Sequence, residues 1–235
     1  MSAGKLYIIP IPVSEGDLRR SLPDFNAEIV KQIRYFAVEN IKTARRFLRS
    51  VDRTFPIDEC TFFELNKHED YSFDPALLTA LNNASDVGLM SESGYPGIAD
   101  PGGGIVLTAH ENNISVIPLV GPSSIFLALA ASGLNGQSFG FSGYVPQKEP
   151  LRAEVLKKAV NEILKSGTTQ IFIETPYRNQ TIFADILKLG DNKLKLCVAL
   201  DVTGKDESII TKSVEKWKVN SIELPKVPAI FLIGK

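Results

Sequence analysis

Short apolar runs alternate with stretches of helical periodicity along nearly all of this 235-residue chain. That alternation constrains the fold more than any other feature. Strand, helix and strand in succession favour mostly parallel sheets with crossover helices, an α/β class. A strand over Lys5–Pro10 is stopped by Pro10 and Pro12. A helix over Asn26–Ile33, a strand over Tyr35–Val38 and a helix over Asn40–Val51 follow. In the last of these, helical spacing puts Ile41, Ala44, Leu48 and Val51 on a buried face. Lys42, Arg45, Arg46 and Arg49 line another face. A helix over Pro75–Asn82 and a strand over Val87–Met90 lead into a small-residue loop, Ser91–Gly104, then a helix to Glu111 and a strand over Ile114–Val120. Gly121-Pro122-Ser123-Ser124 opens the next helix, which runs to Ser132.

The later strand-like segments are Phe139–Phe141, Thr169–Ile173, Leu196–Leu200, Ser208–Ile210 and Val227–Ile233. They read as a mixed sheet. The length suits two α/β domains, expected at 1–120 and 121–235. With 26 basic against 27 acidic residues, the chain offers no global attraction to nucleic acid, so an RNA partner needs a local basic patch. Cys60 and Cys197 lie far apart, and His68 and His110 are the only histidines. This pattern implies a reduced, cytoplasmic setting and no metal site. The apolar start, Leu6–Ile9, is too short to span a membrane and lacks a signal-peptide pattern.

Two loops carry the chemistry. Ser91-Glu92-Ser93-Gly94-Tyr95-Pro96-Gly97-Ile98-Ala99-Asp100-Pro101-Gly102-Gly103-Gly104 sits at the carboxyl end of a strand, where open α/β sheets bind ligands. Its glycines allow close backbone approach, and its prolines lower the ordering cost of binding. Within it, Asp100-Pro101 reads as a helix N-cap followed by proline at the first helical position. Gly121-Pro122-Ser123-Ser124 ends a neighbouring strand. Its amides and hydroxyls suit a carboxylate or ribose; taken alone it reads better as a serine cap, and two such loops ending neighbouring strands favour a pocket.

GLMSESGYPGIADPGGG, IPLVGPSSIFLALAASGL and FSGYVPQK together resemble the tetrapyrrole methylase superfamily. Within it they are most similar to the branch that methylates a ribose 2′-hydroxyl of small-subunit ribosomal RNA. That branch has a pattern like SDAGTPGISDPG, then PGPSA, then F-x-G-F-x-P-x-K. ETPYR at Glu174–Arg178 resembles its E-A/S-P-H-R. The resemblance implies a two-domain tetrapyrrole-methylase-like fold, S-adenosylmethionine as methyl donor in the interdomain cleft, and a homodimer. It implies ribosomal RNA, or the small ribosomal subunit, as partner.

Carried over by motif, the donor contacts are Pro10, Ser91, Glu92, Gly94, Ile98, Ser123, Ser124 and Glu174, with Thr203 and Ala229 toward the adenine. Glu39 and Glu92 are the candidate catalytic carboxylates, because a ribose hydroxyl is a weak nucleophile and gains from a base. Lys42, Arg45, Arg46, Tyr177 and Arg178 are the candidate acceptor contacts. Phe62 and Phe63 could stack on a base but fit core packing better.

The acceptor side departs most from the family. TPIGNLxD is replaced by IPIPVSEGD, and E-D-T-R by Glu39-Asn40-Ile41-Lys42. Tyr177 replaces a histidine, and A-R-E-L-T-K becomes Ala199-Leu200-Asp201-Val202-Thr203-Gly204. Two other functions therefore stand beside RNA methylation: a methyltransferase acting on a tetrapyrrole or other small molecule, and a donor-binding protein without catalysis.

Overall fold

The computed structural model describes residues 3–65, 74–220 and 222–235. His68 lies outside them. The chain divides into two compact units, Met1–Ser123 and Ser124–Lys235.

In the first unit β1 (Leu6–Ile8), α1 (Asp24–Val30), β2 (Tyr35–Val38), α2 (Ile41–Val51), β3 (Thr61–Glu64), α3 (Pro75–Asn82), β4 (Val87–Met90), α4 (Gly103–Glu111) and β5 (Val116–Pro118) follow one another. The strands form a five-stranded sheet of order β3-β2-β4-β1-β5, with every pairing parallel. All five strands therefore end at one edge of the sheet. Strand residues alternate between two cores, as the period of two requires. Tyr7, Phe36, Val38 and Met90 pack with α1 and α2, whereas Leu6, Ile8, Ala37 and Leu89 pack with α3 and α4. Fully burying a side chain such as Phe36 contributes about 1.5–3 kcal/mol. In α2 the inward face is Ala44, Phe47 and Leu48, flanked by half-buried Ile41 and Val51, while the basic residues stay exposed.

In the second unit α5 (Ser124–Ser132) precedes β6 (Phe139–Tyr144), α6 (Leu151–Ser166), β7 (Thr169–Glu174), α7 (Asn179–Leu189), β8 (Lys195–Leu200), β9 (Ser208–Ser213), α8 (Val214–Val219) and β10 (Ala229–Gly234). The sheet order is β6-β7-β10-β8-β9. Only β6–β7 is parallel; the other three pairings are antiparallel. The mixed sheet expected from the sequence is present. Phe172, Val198 and Phe231 face α6, α7 and α8, and Ile171, Cys197 and Leu232 face α5. Trp217 fills the first of these cores, donating from Nε1 to the Leu196 carbonyl at 2.8 Å and meeting Phe183 edge-on at 5.3 Å.

Three local expectations need correction. Asp100 does not cap a helix: α4 starts at Gly103, with Gly102 at the N-cap and φ of 132°. A glycine serves there because a Cβ would stand 3.3 Å from Gly97 N and 3.1 Å from Leu89. Thr61–Glu64, given no element from the sequence, forms the strand β3, with Phe62 and Phe63 packed against the two cores as expected. The first strand is Leu6–Ile8 rather than Lys5–Pro10, because the chain bends away after Ile9 to bond with a different loop.

Candidate active site

The carboxyl edge of the parallel sheet gathers the loops after β1, β2, β4 and β5. The first of these clasps the third. Ile11 N donates to Gly94 O, and Gly94 N to Ile11 O, each at 2.9 Å. Gly94 makes this bridge with φ of 68°, a left-handed conformation that glycine adopts without a Cβ penalty. Ser91 is buried and donates to the Ser93 carbonyl at 3.1 Å, tightening the same turn. Gly97 N closes the next turn on Pro101 O at 3.0 Å. A Cβ added at Gly103 would meet nothing within 4 Å, so the backbone at the start of α4 borders open space.

The loop after β5 meets both others. Tyr95 Oη donates to the Leu119 carbonyl at 2.9 Å and accepts from Gly121 N at 2.8 Å. Gly121 lies so close to Pro10 that an added Cβ would stand 2.3 Å from Pro10 Cγ. Asn26, on α1, donates to the Val120 carbonyl at 2.7 Å.

Glu39 follows β2. Its Oε2 accepts from the Glu92 amide at 3.2 Å. Glu92 itself is exposed, and its Oε1 accepts from Thr43 Oγ1 at 3.4 Å. Asn40 caps α2 by accepting from Thr43 N at 3.0 Å, which fixes Thr43 for that contact. Pro10, Ser91, Glu92, Gly94, Ile98 and Ser123 thus lie on three loops of one edge, with Glu39 bonded to them. On α2, Lys42, Arg45 and Arg46 are exposed. The Arg45 guanidinium lies 5.3 Å over Phe62, whose ring stacks on Phe36 at 5.5 Å; Phe62 is a packing residue.

The candidates of the second unit are arranged differently. Ser124 opens α5. Glu174 ends β7 with its side chain wholly buried. Its Oε1 accepts from Thr175 N at 2.7 Å, and Oε2 stands 3.4 Å from Arg178 Nη1. Arg178 Nη2 donates to the Val145 and Pro146 carbonyls at 2.9 and 3.2 Å. Tyr177, by contrast, is 83% exposed, with Lys226 Nζ 5.7 Å from its ring centre. Thr203 takes φ of 69°, and Ala229 is buried at the start of β10.

Sequence reasoning missed Tyr95, Asn26 and Thr43. Tyr95 had a signal: it is the one aromatic side chain in the glycine- and proline-rich loop. Asn26 and Thr43 had none, since their partners are 94 and 49 residues away. A cavity of about 420 Å³ opens between α1 and α2, lined by Leu18, Leu22, Asn26, Val30, Phe47 and Val51 among others. Of the candidate site residues named from the sequence, none lines it. Among the described residues no cluster of His, Cys, Asp and Glu could hold a metal, and no helix is long and apolar enough to cross a membrane.

A parallel sheet whose strand ends carry interlocked glycine loops presents the edge at which open α/β sheets bind ligands. The chain belongs to the tetrapyrrole (corrin/porphyrin) methylases, whose family model matches residues 27–217, and it is a methyltransferase of that family. It is 31% identical over 205 residues to the ribosomal RNA small subunit methyltransferase I of Vibrio cholerae serotype O1, covering 87% of this chain and 67% of the relative. Its identity to the protein of the same name in Escherichia coli O157:H7 is 30% over 208 residues, covering 88% and 68%. Among solved structures it is similar to the methyltransferase CobJ, with TM-score 0.63 and 15% identity, over 99% of this chain and 95% of that one. The uroporphyrin-III-C-methyltransferase from Thermus thermophilus gives 0.56 and 16%, over 99% and 92%. These structural likenesses establish the two-unit α/β fold.

Proposed function

We propose that this methyltransferase takes its methyl group from S-adenosylmethionine and places it on a ribose 2′-hydroxyl of small-subunit ribosomal RNA. One observation carries the reading. The loops after β1, β4 and β5, which hold the donor motifs, are bonded to one another at a single sheet edge. The relatives named for ribosomal RNA methylation align over 87–88% of the chain, which supports the acceptor.

The donor supplies a methyl carbon already activated by a sulfonium. The protein's work is then to align the hydroxyl, exclude water and receive a proton. Pro10, Ser91, Gly94, Ile98, Ser123 and Ser124 would hold the donor through backbone and small side chains. Glu174, Thr203 and Ala229 are the second unit's candidates, to be tested separately. Glu92, an exposed carboxylate, would take the hydroxyl proton as the carbon–oxygen bond forms and the carbon–sulfur bond breaks. Glu39 orients it by holding the Glu92 amide. Lys42, Arg45 and Arg46 would meet RNA phosphates, and exposed Tyr177 a base or ribose. Arg178 serves the acceptor indirectly, since its guanidinium is engaged by Glu174 and two carbonyls. A homodimer and a cytoplasmic location complete the reading. Phe126, 52% exposed and edge-on to Phe139 at 5.9 Å, offers an apolar contact for a second copy.

The test is calorimetric titration with S-adenosylmethionine, then transfer of a labelled methyl group to small ribosomal subunits and, in parallel, to a tetrapyrrole. Micromolar binding abolished by Gly94→Val, with label in RNA that Glu92→Gln reduces about 100-fold, is expected. Label in the tetrapyrrole alone would replace the acceptor. Binding without transfer to either would leave a donor-binding protein. No binding by the wild type would sink the donor assignment.

A further inference from the structure

Tyr95 sits where the family pattern SDAGTPG carries a threonine. The phenol uses its hydroxyl in both directions, donating to Leu119 O at 2.9 Å and accepting from Gly121 N at 2.8 Å. These are the backbone groups on either side of Val120, whose own carbonyl is held by Asn26 at 2.7 Å. Leu119 N is bonded to Ile8 O at 3.0 Å. The segment 119–121 is therefore pinned at four backbone groups, two of them by one hydroxyl.

The residue before Tyr95 completes the arrangement. Gly94 pairs with Ile11 in both directions, and Gly121 closes against Pro10. The three loops thus brace one another in a closed ring, from the β1 loop to the β4 loop at Gly94, on to the β5 loop at Tyr95, and back at Pro10. Of these links only Tyr95 depends on a side-chain hydroxyl. The Gly94–Ile11 link is backbone to backbone, and the Gly121–Pro10 link is contact alone. A loop held this way meets a ligand with little further ordering to undergo, which is how preorganisation raises affinity.

We propose that Tyr95 is a positioning residue of the donor site, its hydroxyl locking the loop after β5 against the loop after β4, with Asn26 holding the same segment from α1. Tyr95 needs no contact with the donor. It acts by fixing the peptide groups that lead into Ser123. The proposal rests on the donor reading above, and its test separates the two.

Tyr95→Phe keeps the ring and removes only the hydroxyl, leaving Gly121 N–H and Leu119 C=O without this partner. Losing a satisfied partner for two polar groups is expected to weaken S-adenosylmethionine binding roughly 10- to 100-fold. The effect should appear in KM for the donor more than in kcat. Asn26→Ala should weaken binding in the same way. The double variant should fall short of the product of the two factors, because both act on one segment. Ile33→Val, which deletes one buried methylene outside the loops, controls for general destabilisation. It should lower Tm by a similar amount and leave donor affinity unchanged.

Amide exchange reads the loop directly and needs no donor. In Tyr95→Phe the Gly121 amide should lose protection by about the same factor while β4 and β1 amides keep theirs. Donor affinity in Tyr95→Phe equal to wild type, or affinity that falls equally in Ile33→Val, would overturn the proposal. If the wild type binds no S-adenosylmethionine, the donor reading falls instead. Exchange at Gly121 then decides the locking claim alone, and unchanged protection in Tyr95→Phe would end it.

Discussion

The two units finish their sheets in opposite ways. In the first, parallel strands deliver every carboxyl end to one edge. The loops there are held by backbone hydrogen bonds, a phenol hydroxyl, close glycine contacts and the Glu39 carboxylate on the Glu92 amide. In the second, antiparallel pairing scatters the strand ends, and the turn after β7 is held by an ion pair. Glu174, wholly buried, pairs with Arg178, which in turn fastens the chain at Val145 and Pro146. The difference teaches that similar-looking motif residues do different work. Glycine loops leave their backbone open to a ligand, whereas the ETPYR turn spends its strongest polar groups on its own structure. It leaves Tyr177 outward and Arg178 committed.

The largest expected effect tests the charge-held edge. Arg178→Met removes one partner of a buried pair and should cost about 3–5 kcal/mol in the second unit, read by urea unfolding. Glu174→Gln combined with Arg178→Met should recover part of that loss, because no unpaired charge remains. If Arg178→Met instead leaves stability intact and abolishes only RNA methylation, Arg178 is an acceptor contact and the contrast between the edges collapses.

The first unit's edge should break sterically. Gly121→Ala places a Cβ 2.3 Å from Pro10 Cγ and forces the two loops apart. Overpacking of this kind costs about 1–3 kcal/mol. Donor affinity should fall further than stability does, since the displaced groups are those of the site. Thermal melting and calorimetry on the same sample check both. A variant melting like the wild type and binding the donor normally would show that the loops tolerate separation.

These contrasts also mark what the sequence disclosed. Both loops of the donor motif were visible as dense glycine and proline after an apolar strand, because backbone geometry demands particular residues at particular places. The alternation of strand and helix exposed the parallel sheet, and the short apolar runs at Leu196–Leu200 and Val227–Ile233, buried on both faces in the fold, exposed the second. Helix α2 showed most of its buried face through spacing, with Ala44 and Leu48 buried and Ile41 and Val51 half-buried, but the pattern left out Phe47. What stayed hidden was long-range polar bonding. Asn26 reads as an ordinary helix residue, Thr43 as a surface threonine and Arg178 as a cation free for substrate, until the fold brings Val120, Glu92 and Val145 beside them. Asp100-Pro101 shows the opposite failure. Its local signal for a cap is good, but the loop needs the extra turn closed by Gly97 and Pro101 before the helix begins.

A smaller effect separates surface charge from buried charge. Arg46→Ala on the exposed face of α2 should change stability by less than about 0.5 kcal/mol. If that face meets phosphates, the same change should weaken RNA binding and reduce the slope of log affinity against log salt by about 1. Measured by filter binding over a salt series, an unaltered slope would remove Arg46 from the RNA surface while leaving the donor site untouched.

The smallest effect concerns one ion pair of the first unit, and it sharpens the comparison by scale. Asp52 accepts from Thr54 Oγ1 at 2.7 Å and Thr54 N at 2.8 Å and stands 3.1 Å from Lys31 Nζ. The Thr54 hydrogen bonds, then Lys31, hold its carboxyl down from 3.8 to about 2. A carboxyl depressed on folding stabilises above its unfolded value and loses that contribution as pH falls through the folded one. The melting difference between wild type and Asp52→Asn should therefore be small but constant at neutral pH. It should shrink once pH drops below 3.8 and vanish only below about 2. The site is open to solvent, so screening keeps the effect well under that of the buried Glu174 pair. If the Asp52 difference matched that of Arg178→Met, burial would not be what sets the two edges apart.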